Sequence, residues 1–192
     1  MPPRTKFDRE NVVDAAVRIA KKGGLSAITA RAVAEELGSS VAPIYANFSN
    51  IDDLIAAAVE RVMRWSYSLI EASKARGPLE KIGAASIAFA RRYPLLFRDL
   101  TLQPNDYMGS YDVLEGQILK LMGADERLNR WTEEERRRLL FKMRVVQMGL
   151  CTMVAMGHIP QWLGEGEVDE MLYELGEDLI LATRAKRGEN TE

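Results

Sequence analysis

The chain carries one histidine, His158, and one cysteine, Cys151, only seven positions apart. A zinc site ordinarily draws on three or four such ligands, so the pair predicts no metal centre. A lone cysteine makes no internal disulfide, which suits a reducing cytoplasm. No serine, histidine and carboxylate stand at a recognisable nucleophile spacing, and no glycine-rich loop is built to cradle a phosphate. The residues therefore predict neither an enzyme nor a cofactor, and point instead to non-covalent recognition. The segment that invites it is "GSSVAPIYANFSN", Gly38 to Asn50. It is too short and too interrupted for a core helix, yet it lies between two good amphipathic runs.

Those runs position it. Residues 9–22 place Val12, Ala16, Ile19 and Ala20 on one helical face, and Gly23 and Gly24 end the helix. Thr29 suits an N-cap, Val33, Ala34 and Leu37 form the buried stripe of a two-turn helix, and Gly38 closes it. Ser40 is expected to cap a third helix starting at Val41, with Pro43 in the first turn, where a missing N–H costs little. Ile44 and Phe48, one turn apart, face inward. Val41, Ala42, Tyr45 and Ala46 are left outward. Two short helices joined by a tight glycine turn form a helix-turn-helix, whose second helix fits the major groove of DNA.

Beyond Asn50 the pattern remains helical. A helix over about 51–76 opens with Asp52 and Asp53, favourable to the macrodipole. Others follow over 79–92, from Leu95, and over 110–122. Thr132 and Glu135 make a capping box for a long helix reaching Met156. The last helix, about 167–186, carries Val168, Leu172, Leu175, Leu179 and Ala182 as a narrow heptad-like stripe. No segment reads as a strand. The expectation is an all-α protein of about nine helices: an N-terminal three-helix domain over 1–50 and a larger helical domain over 51–192, with the helix over about 51–76 linking them.

With "AAVRIAKKGGLSAITARAVAEELG", then "VAPIYANF" and "DDL", residues 8–55 resemble the N-terminal domain of TetR-family transcriptional regulators. The combination of Thr29, Arg31, Ala34, Gly38, Ser40, Ile44, Tyr45 and Phe48 carries the resemblance. It implies phosphate contacts from Thr29 and Tyr45, and a phosphate or guanine contact from Arg31. It implies base contacts from Ser40, Val41, Ala42 and Pro43, with Asn47 near a phosphate. Two positions depart from the pattern: Ile51 stands where a basic residue is common, and Ser39 where valine is usual. The family's C-terminal domain binds a small molecule and dimerises, and its members act as homodimers on pseudo-palindromic double-stranded operators. The resemblance thus implies a repressor released by a small apolar effector; the alternative is an effector-independent regulator or activator. Candidate pocket residues are Met63, Tyr67, Phe89, Tyr93, Met122, Arg144, Gln147 and Cys151, although methionines such as Met143, Met148, Met153 and Met156 equally suit a soft core. Candidate dimer residues are Gly149, Val168, Leu172, Leu175, Leu179 and Ala182, the alternative being that the stripe packs within its own subunit.

Charge tempers the DNA reading. The 192 residues carry a net charge of −2. Residues 1–51 have seven basic and five acidic side chains, so few phosphate contacts per protomer are expected, with dimerisation compensating. "MPPRTK" reads as a basic arm or a frayed end. No signal-peptide pattern and no run of about 18 uninterrupted apolar residues appears, so no membrane partner is expected.

Overall fold

The computed structural model describes residues 7–75, 77–104, 106 and 109–188; the N-terminal arm discussed above lies outside them. Among the described residues there are nine α-helices and no strand. Two compact units form: one contains residues up to Trp65 together with Tyr93–Ser110, the other contains Ser66–Arg92 and the chain from Tyr111 onward.

In the first unit, α1 (Arg9–Gly23) starts with a reciprocal cap. The Asp8 carboxylate accepts the Asn11 N–H at 2.8 Å, and the Asn11 side chain accepts the Asp8 N–H. Val12, Ala16 and Ala20 are buried, as the periodicity predicts; Ile19 is half-buried, and Val13, off the predicted stripe, is buried too. Gly24, at φ +78°, then turns the chain into a 3₁₀ turn over Leu25–Ala27 that the periodicity does not reveal. Helix α2 (Ala30–Leu37) begins at Thr29, whose hydroxyl accepts the Ala32 N–H at 3.1 Å. It ends at Gly38 in the left-handed conformation, where the Ser39 N–H closes back on the Ala34 carbonyl at 2.9 Å.

Helix α3 (Ala42–Asn47) starts one residue later than expected, and its cap position is Val41. Ser40 is nonetheless close: its hydroxyl accepts the Ala42 N–H at 3.4 Å. Pro43 sits at the second helical position, where the amide lacks an intrahelical partner in any case. Asn50 caps α4 (Ile51–Ala72) by accepting the Asp53 N–H at 2.8 Å. The helix stops short of residue 76. Helix α6 (Pro94–Thr101) belongs to the first unit, although the chain up to Arg92 before it and from Tyr111 after it belongs to the second.

The second unit contains α5 (Pro78–Arg92), α7 (Gly109–Gly123), α8 (Glu133–Met156) and α9 (Glu165–Lys186). Its core gathers Ile82, Ile118, Met122, Leu128, Trp131, Leu139 and Ile180. The Thr132–Glu135 capping box forms as the sequence predicts. Helix α9 begins two residues early because the Glu167 carboxylate accepts the Gly164 N–H, drawing Glu165 and Gly166 into the first turn. α8 is the one helix among the described residues long and apolar enough to cross a membrane by composition.

Candidate functional site

The helix-turn-helix presents two different faces. Ile44 is fully buried and Phe48 nearly so, and they fix α3 against α1 and α2. The opposite face is open: Ser40, Val41, Ala42, Tyr45 and Ala46 are all exposed, Tyr45 by 55%. Thr29 and Arg31 are exposed at the start of α2. Six of the eight residues singled out from the sequence thus share an exposed setting, from the start of α2 to α3. Pro43 is half-buried. Asn47 is half-buried and differently engaged: its side-chain amide donates to the Pro43 carbonyl at 2.8 Å, tying off the end of α3.

Most of the first unit's cations are held by their own protein. Arg18 pairs with Glu36 at 2.6 Å, and this guanidinium bond holds the Glu36 carboxyl below its usual range. Arg61 of α4 bridges Glu10 and Asp14 of α1. Arg9 lies over the Phe48 ring, 4.7 Å from its centroid. Lys21 sits over Trp65 at 4.1 Å, and Trp65 meets Tyr93 edge to face at 5.4 Å. These contacts brace α1 against α4 and the start of α6. Arg31 has no ion pair among the described residues and remains an exposed guanidinium beside the open face.

Residues 12–58 match the family model of the bacterial regulatory proteins, tetR family. This stretch is similar to the DNA-binding domain of the tetR family. The matched span runs from the buried face of α1 into α4, so it contains the whole helix-turn-helix. Among curated relatives, the HTH-type transcriptional repressor DrrR1 of Streptomyces coeruleorubidus is 31% identical over 98 residues. That alignment covers 50% of this chain and 36% of the repressor's length. Among solved structures, the multidrug binding protein EbrR, crystallised with imidazole, superposes with a TM-score of 0.60. It covers 89% of this chain and 96% of its own at 18% identity, a likeness of fold.

The second unit contains a half-open cavity of about 380 Å³ lined by α5, α8 and α9. Leu79, Ile82, Leu140, Met143, Val146, Leu172 and Leu179 supply apolar wall, and Gln147 and Tyr173 supply polar atoms. Of the pocket residues suggested by the sequence, Gln147 lines this cavity. Met122 is fully buried in the core cluster and Tyr67 packs against it. Tyr93 belongs to the aromatic contact with Trp65, and Met63 lies in the first unit. Phe89 and Arg144 are half-buried. Cys151 is buried, and desolvation together with the Asp169 charge pushes its thiol up to about 12, leaving it unreactive near neutral pH. The sequence reading passed over Glu80, Asp169, Glu170 and Glu177, which also line the cavity. Glu80 lies on α5 and the other three on α9, where the two-turn spacing of Glu170 and Glu177 is the signal that was available.

The residues suggested for dimerisation divide. Val168 is buried, Leu172 approaches Gly83 closely enough that a Cβ there would sit 3.1 Å away, and Leu179 packs on the core. Leu175 is half-buried and Ala182 exposed. A Cβ on Gly149 would meet no atom within 4 Å. Gly149 lies on a stripe of α8 with Phe141, Val145, Met153 and Met156, all exposed; of this stripe the sequence analysis names only Gly149 for dimerisation.

Proposed function

We propose that this protein is a transcriptional repressor that binds double-stranded DNA as a homodimer and leaves a pseudo-palindromic operator when a small, largely apolar effector binds. The observation that carries the DNA-binding part is the two-faced α3: anchored by Ile44 and Phe48, open at Val41, Ala42 and Tyr45. A helix so presented enters the major groove with its first residues at the base edges. Val41 and Ala42 suit thymine methyl groups. Thr29 and Tyr45 offer hydroxyls to phosphates, and Arg31 supplies the fork that fits guanine O6 and N7. Asn47, bound to the Pro43 carbonyl, serves to fix the helix rather than to touch DNA.

The apolar stripe of α8 supports dimerisation. Phe141 is 67% and Val145 59% exposed, and space over Gly149 lets a second helix come close. Two copies related by a two-fold axis place two α3 helices on successive major grooves, compensating for the scarcity of free cations in each head. The α5–α8–α9 cavity is of a size that suits a small organic molecule. Helix α4 runs continuously from Ile51 to Ala72, through residues of both units, and is the natural carrier of a coupling between effector and DNA of about 1–3 kcal/mol. The test is electrophoretic or fluorescence titration of a selected DNA duplex, with and without effectors. Binding that Tyr45→Ala and Val41→Glu weaken, and that an effector reverses, supports the reading. Binding that no cavity ligand reverses supports an effector-independent regulator instead.

A further inference from the structure

We infer that α3 reads thymine by its C5-methyl group: the centre of each half-site is recognised through apolar contact in the major groove, with hydrogen-bonded reading confined to the rim. The inference rests on the DNA-binding reading above and adds which base chemistry the surface selects. The rotation of α3 about its own axis is fixed. Ile44 is fully buried and Phe48 nearly so, with the Arg9 guanidinium 4.7 Å from the Phe48 ring centroid. The outward positions are then Val41, Ala42, Tyr45 and Ala46. Three of these four side chains are aliphatic and have no nitrogen or oxygen to offer, and Val41 is 42% exposed.

The backbone at that end of the helix is equally poor in donors. The Ala42 N–H donates to the Ser40 hydroxyl at 3.4 Å, Pro43 has no N–H, and the Ile44 N–H donates to the Val41 carbonyl at 3.1 Å. The Ser39 hydroxyl is also spent within the turn, donating to the Ser40 carbonyl at 2.9 Å. Polar groups surround this tip instead: Thr29 and Arg31 at the start of α2, and Tyr45 one turn beyond Val41. In the major groove thymine carries a methyl group, whereas cytosine and adenine present amino donors. An amino group pressed against Val41 or Ala42 loses its water and finds no acceptor, which is unfavourable. A methyl group gains by leaving water there.

Duplexes selected from random DNA by the intact protein supply the probe. The thymines of one enriched half-site are replaced singly by deoxyuridine, which removes the methyl and leaves every hydrogen-bonding group in place. At one or more central thymines the affinity is expected to fall about fourfold for the methyl removed. Val41→Ala is expected to weaken binding to the thymine duplex severalfold and binding to the matching uracil duplex much less, because both changes remove the same contact. Affinity indifferent to deoxyuridine at every position, or a Val41→Ala loss equal on the two duplexes, overturns the methyl assignment and leaves sequence-specific binding standing. An enriched half-site without thymine at its centre does the same. Selection that enriches no sequence overturns the assignment together with the DNA-binding reading.

Discussion

At the scale of single residues, Arg127 is the hub of the second unit. Its guanidinium binds both oxygens of Asp125 at 2.9 and 2.6 Å and also engages Glu177 of α9. The Asp125 carboxylate is nearly buried and also accepts the Arg127 N–H at 3.0 Å. These bonds, with Arg127 foremost, hold the Asp125 carboxyl below its ordinary value of 3.8. A depressed carboxyl stabilises the fold above that ordinary value, and the contribution disappears as pH falls through the folded value. Asp125→Asn is therefore expected to lower unfolding free energy by about 2–3 kcal/mol at neutral pH. The deficit should shrink below pH about 4, as read by chemical denaturation across pH. Arg31 makes the corresponding prediction for recognition. Arg31→Ala should cost about 1–3 kcal/mol and relax preference at one base pair of each half-site. A loss uniform across sequences would mark Arg31 as a phosphate contact. The outward set of α3 was readable from residue type and spacing. The bond from the Asn47 amide to the Pro43 carbonyl was not, because spacing does not show which partner a side-chain amide takes.

At the scale of elements, the junction after α1 shows where local pattern stops being informative. The Leu25 N–H donates to the buried Asp99 carboxylate of α6 at 2.8 Å, across 74 positions of sequence. Gly24 packs so closely on that carboxylate that a Cβ would overlap it, and its φ of +78° disfavours other residues. Arg98 also binds Asp99, at 2.7 Å. The two glycines do read as a helix stop, but their tertiary reason lies in a distant helix that periodicity cannot reach. Gly24→Ala is expected to destabilise the protein by about 1–3 kcal/mol. Asp99→Ala should cost a similar amount by stranding the Leu25 donor. Thermal melts check both. If Gly24→Ala were neutral, the close approach would not be holding the turn. Helix starts with side-chain caps at Thr29 and Thr132 were legible because one side chain and one amide decide them. The start of α9 shifted because a glutamate, rather than the residue at the cap, closes its first turn.

At the scale of the whole molecule, the all-α architecture was legible from 3.6-residue periodicity alone. The use of each apolar face was not. The α9 stripe looked unpartnered in sequence, yet Val168, Leu172 and Leu179 face their own subunit, while α8 exposes Phe141 and Val145. Which of two apolar faces meets the core depends on how neighbouring helices cross, and a single helix does not encode that. Phe141→Glu is expected to convert a dimer into a monomer by sedimentation and to weaken operator binding at least tenfold, with the helical content unchanged. The central claim, that α3 is a reading helix carried in two copies, is tested most directly by selecting bound duplexes from random DNA with the intact protein. The account predicts an enriched inverted repeat whose half-sites are one helical turn apart or a multiple of it, lost when Val41→Glu and Tyr45→Ala are combined. Selection that enriches no sequence, or enrichment that survives this double substitution, would contradict it.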